Sequence, residues 1–202
     1  MGKHSWQILV ALAMVLGLGV RTAHAIPITY TALLNGPSEF PPNASPGTGF
    51  ATVVIDTDPS AHNMTVNASF SGLMGTTTAS HIHCCITVPG GTAGVATTTP
   101  TFTGFPLVVT SGTYVHLFDM TLASSYNPAY ITANGGTPAS AEAALESGIA
   151  AGTAYFNIHS TTFPAGEIRG FLVPAAVPEP TSMILLGTGL IGFATRYRRR
   201  GR

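Results

Sequence analysis

Between residues 62 and 70 the chain reads HNMTVNASF, and from Asn63 onward polar and apolar side chains alternate without a slip. Successive side chains of an extended chain point to opposite faces, so Met64, Val66, Ala68 and Phe70 line one face and Asn63, Thr65, Asn67 and Ser69 the other. A helix would scatter both sets around its axis. The segment is therefore predicted to be a half-buried strand with one wet face. Similar runs, rich in β-branched and aromatic residues, follow at turn-bounded intervals: 28–34, 49–55, 79–85, 113–122, 153–159 and 167–173. They predict an all-β domain, an antiparallel β-sandwich of about seven to eight strands. One stretch departs from the pattern. Residues 138–149, PASAEAALESGI, are alanine-rich, with Thr137 placed as a cap, Pro138 at the first helical position and Gly148 near the end. They predict one short surface helix crossing between strands.

The two ends belong to something else. Lys3 and His4 precede an apolar run at residues 8–20, and Ala23-His24-Ala25 offers the small-x-small pattern of a cleavage site. This is the order of a secretory signal peptide, residues 1–25, removed by signal peptidase to leave Ile26 first. At the other end Val177, Pro178, Glu179 and Pro180 lead into an apolar run at residues 181–195, then into a tail carrying Arg196, Arg198, Arg199, Arg200 and Arg202. At about 1.5 Å per residue this run reaches only about 22 Å as a helix, short of a roughly 30 Å hydrocarbon core. It suits transient membrane insertion better than a permanent span, with the arginines held on the cytoplasmic side.

Stripping the ends changes the charge. Lys3, Arg21 and the five tail arginines lie in the terminal segments, which leaves Arg169 as the one cation of residues 26–174. Against it stand Glu39, Asp56, Asp58, Asp119, Glu142, Glu146 and Glu167, a net charge of −6. Such a domain cannot neutralise phosphates, which excludes nucleic acid as a partner and argues against anionic lipid. Arg169 itself calls for an acidic partner, and Glu39 or Glu167 can supply it; Glu167, two residues away, would share its strand face.

Two resemblances carry further. Val-Pro-Glu-Pro, a short apolar helix and an arginine-rich end, in residues 175–202, resemble the PEP-CTERM sorting signal of Gram-negative bacteria. That resemblance implies handling by an exosortase, a membrane-anchored intermediate, and delivery to the cell surface or the extracellular polysaccharide matrix. LNGPSEFPP (34–42), SHIH (80–83) and NIHSTTFPAGEIRGFL (157–172) resemble, in that order, the blocks of the CHRD domain named after chordin. The domain is placed at residues 26–174. The family implies an extracellular β domain, usually without an assigned enzymatic activity. A structural or binding module is therefore expected.

Chemistry concentrates in SHIHCC, residues 80–85, which holds both cysteines of the chain. On a strand His81, His83 and Cys85 would share a face. Two imidazoles at that spacing hold a copper or zinc ion if further ligands arrive from elsewhere. His159, in the last family block, is the candidate third ligand and Cys85 a candidate fourth. Its strand puts His159 on the face of Tyr155 and Asn157, opposite Phe156 and Ile158, so such a site belongs at a strand end or sheet rim. Adjacent cysteines cannot reach the usual Cα separation of about 4.4–6.8 Å across a trans peptide. A bridge between them, a ligand role and simple burial all stay open. No nucleophile elbow, phosphate loop or paired-carboxylate pattern is visible, and no enzymatic activity is expected; the competing reading is a secreted metalloprotein, redox-active in one form.

Overall fold

The computed structural model describes residues 27–176 apart from 57, 59 and 89, so both terminal segments read above lie outside it. Eight strands form in the order β1 (Ile28–Asn35), β2 (Thr48–Asp56), β3 (Asn63–Ser71), β4 (Thr77–His83), β5 (Gly112–Asp119), β6 (Tyr155–Ser160), β7 (Ile168–Phe171) and β8 (Val173–Pro174). All pair antiparallel in one sheet of order β4-β6-β7-β1-β2-β3-β5, with β8 also alongside β1. The alternating segment pairs along its whole length with both β2 and β5, and it buries Met64, Val66, Ala68 and Phe70.

The sheet is continuous but curled. β1 meets β7 through the single pair Asn35↔Arg169, which marks the bend between its two halves. One core fills the concave side, with Leu34, Val53, Val66 and Phe118 from one half and Ile82, Phe156, Ile158 and Ile168 from the other. The long connection from β4 to β5 closes the curl. Its Phe102 packs on Phe118 of β5 and Phe156 of β6, with ring centroids 5.4 and 5.6 Å apart. Thr77 at the start of β4 donates to Val109 O, and Val108 N donates back to Thr77 O. Backbone groups at that sheet edge are thus satisfied by the loop.

The predicted helix is α2 (Pro138–Ala150), capped as expected by Thr137, whose hydroxyl accepts from Ser140 N in a capping box. It is more than a surface crossing: Ala141, Leu145 and Ile149 recur every fourth residue and enter the core. A six-residue helix not expected from the sequence, α1 (Pro128–Ala133), is capped by Asn127. At under two turns it has no readable period.

A histidine cluster on the outer face of the sheet

β4, β6 and β7 have two differently occupied faces. Ile82, Phe156, Ile158 and Ile168 turn inward, so His81, His83, Tyr155, Asn157, His159 and Arg169 turn outward. The pairing fixes their rows: His83 opposite Tyr155 and then Phe171, His81 opposite Asn157 and then Arg169, Ala79 opposite His159. This outer face is nonetheless closed, with His81 6 %, His83 8 % and Arg169 2 % exposed. Residues 36–39, 90–101 and 163–166 lie over it, as the hydrogen bonds below record.

Each imidazole spends one nitrogen on a backbone carbonyl of this cover. His81 Nε2 bonds Pro100 O at 2.6 Å, His83 Nδ1 bonds Ala93 O at 2.9 Å, and His159 Nδ1 bonds Pro164 O at 3.0 Å. A carbonyl only accepts, so these nitrogens carry the protons and the tautomers are set. The remaining nitrogens, His81 Nδ1, His83 Nε2 and His159 Nε2, are buried and have no hydrogen-bond partner. One nitrogen from each ring falls within a set no wider than 4.8 Å. Three rings, each with one nitrogen unspent and out of reach of water, are therefore gathered in one place. Burial pushes His81 and His83 down to about 4 against the carbonyl bonds, and lowers His159 as well. The rings are held neutral, the form that ligates metal. An orphaned buried acceptor costs about 1–3 kcal/mol, and three together are hard to rationalise by packing alone.

His159 joins the pair on the outer face, where its alternation placed it; the site lies beneath covering loops and not at an open rim. Cys85 does not join. β4 ends at His83, so the alternation no longer governs Cys85, and Cys84 and Cys85 are bonded to one another across a cis peptide with Cα atoms 3.0 Å apart. Both sulfurs sit against Gly148 of α2, where a Cβ would collide with each of them. The two other histidines among the described residues lie elsewhere: His62 Nδ1 pairs with Glu142 at 2.8 Å, and His116 packs between Tyr114 and Phe118.

Arg169 anchors the cover. Its Nε donates to Ser38 O, Nη1 to Gly91 O at 3.0 Å and Nη2 to Gly90 O at 3.2 Å, so one guanidinium fastens two loops. It also lies over the Tyr155 ring at 4.6 Å, and Tyr155 in turn stacks on His83 at 4.9 Å. Its Nε is 3.8 Å from Glu39 Oε2. Glu167 is no partner of Arg169: its carboxylate accepts from Ser45 Oγ at 2.6 Å and from Met74 and Gly75 N. The physical reason is that Glu167 precedes β7, which begins at Ile168, so the shared-face rule does not reach it. Burial outweighs the Arg169 charge at Glu39 and raises its carboxyl to about 7. The carbonyls of Ala93, Pro100 and Pro164 have no side-chain signature and were invisible in the sequence.

Fold and cluster together describe a β domain with a buried three-histidine centre. The family model of the CHRD domain matches residues 30–172, and the chain belongs to that family. The PEP-CTERM protein-sorting motif matches residues 176–200. It marks the chain as a protein sorted by an exosortase-type enzyme to the surface of a Gram-negative cell. No curated protein and no solved structure matches the chain. Among the described residues no helix is long and apolar enough to cross a membrane.

Proposed function

We propose that this exosortase-sorted surface protein is a metal-binding module, with His81, His83 and His159 holding one copper or zinc ion. The observation that carries the reading is three imidazoles that each offer a ligand nitrogen within 4.8 Å of the others and that each keep one buried nitrogen without a hydrogen-bond partner. Carbonyls behind all three rings are the outer-shell arrangement that fixes metal-ligating histidines. The role is binding and not catalysis, because the unpartnered nitrogens are closed off by the loops that Arg169 fastens. At the cell surface, or in a polysaccharide matrix around it, such a module sequesters an ion or uses it to stiffen the fold.

Elemental analysis of the exported protein, purified without chelator beside a His81→Ala/His83→Ala variant, tests this. One copper or zinc per chain, absent from a variant whose circular dichroism is unchanged, supports the reading. A wild-type protein that neither carries nor takes up either metal overturns it.

A further inference from the structure

We infer that the ion this centre is built for is monovalent copper in preference to divalent zinc; the inference rests on the metal-binding reading above. Three observations carry it. The donors are all neutral: among the described residues no carboxylate or thiolate joins the three nitrogens, and both thiols of the chain are consumed in the Cys84–Cys85 bridge. The nearest charges offer no net compensation. Arg169 reaches the cluster through Tyr155, and Glu39 stands beside that same guanidinium. The unpartnered nitrogens are also sealed from solvent.

An ion placed there keeps its full charge in a poorly solvated, locally neutral or positive setting. The desolvation cost of an ion grows with the square of its charge, so a divalent ion is penalised about four times as heavily as a monovalent one of similar size. Zinc also takes four ligands as a rule, and a structural site supplies all of them from protein. Two other buried oxygens without hydrogen-bond partners, Asn157 Oδ1 and Glu39 Oε1, lie by Gly166, 2.8 and 2.7 Å from the point where it would carry a Cβ. Three imidazoles satisfy monovalent copper, a filled-shell ion content with low coordination numbers, with no fourth donor. Oxygen donors suit harder divalent ions, and no carboxylate oxygen is in the set.

Anaerobic competition on the full-length chain in detergent decides the matter. Monovalent copper would be titrated against bicinchoninate and zinc against a chromophoric indicator, with X-ray absorption at the copper edge to count neighbours. The expected result is one copper per chain, held at least about a hundredfold more tightly than zinc, with three nitrogens and no sulfur around it. His159→Ala is expected to lose that copper. Zinc held as tightly as copper, or sulfur in the copper shell, would overturn the inference while leaving a metal-binding protein. Retention of neither metal would overturn the metal reading as well.

Discussion

Arg169 is the residue on which the cover of the histidine centre depends, since it bonds three backbone carbonyls on two loops. Removing it strands those carbonyls and leaves Glu39 buried without its neighbouring cation. Arg169→Ala is expected to lower the unfolding free energy by about 3 kcal/mol or more in urea titration. Arg169→Lys should recover little of this, because an ammonium cannot present the same planar fork to Ser38, Gly90 and Gly91. The titrating groups give a second expectation. Between the ordinary histidine value of 6.5 and the folded value of about 4, the unfolded chain binds protons that His81 and His83 refuse, so metal-free protein loses stability as pH falls through that range. Glu39 acts in the opposite sense. Its folded value, raised from 4.5 to about 7, contributes stability that is complete below 4.5 and lost as pH rises through 7. Burial also raises Glu146, but the three lowered histidines outnumber these two glutamates, so the thermal midpoint of metal-free protein should drop on acidification from 6.5 to 4.5. His81→Gln/His83→Gln should flatten that slope, leaving His159 opposed by Glu39 and Glu146.

At the scale of elements, α2 is held by two different devices at its two ends. The Thr137 capping box is local, and Thr137→Ala should cost about 1 kcal/mol. Near the other end Gly148 seats the bonded cysteine pair, and a methyl group there meets both sulfurs. Gly148→Ala is expected to cost about 1–3 kcal/mol by overpacking, with chemical denaturation as the measure. The cap was legible in the sequence because it is written in neighbouring residues. The seat was not, because Cys84 and Gly148 are far apart in the chain and nothing in either neighbourhood names the other. A glycine near a helix end reads as a terminator; here it also provides the space for a sulfur pair. The strands repeat this contrast. Their positions followed from alternation and turns, whereas β4 ends at His83, short of Cys85, whose sulfur is bonded to Cys84 and packed against Gly148.

For the whole molecule, sorting and metal centre make separable expectations. Deleting residues 177–202 removes the matched sorting motif and leaves the CHRD domain intact, so the protein should move from the membrane fraction to the soluble periplasmic fraction on cell fractionation. An ion that binds only the folded state should raise the thermal midpoint, by a stability gain of about 2.7 kcal/mol when free metal exceeds its dissociation constant a hundredfold. The truncated protein should keep this gain, since all three histidines lie within residues 30–172.

The sequence alone determined the strands, the helix and its cap, the charge of the domain and the sorting signal, because each is encoded within a few neighbouring residues. Alternation follows from backbone geometry, and a capping hydroxyl acts on an amide three residues away. Only the tertiary structure decided that Ala79 pairs with His159, which brings the third imidazole to the other two, and that Pro100, Ala93 and Pro164 turn their carbonyls onto the three rings. It also decided between Glu39 and Glu167 as the neighbour of Arg169. These are choices among partners distant in the chain, made by strand register and loop closure. A carbonyl oxygen is common to every residue, so no side chain announces which of them will face a histidine.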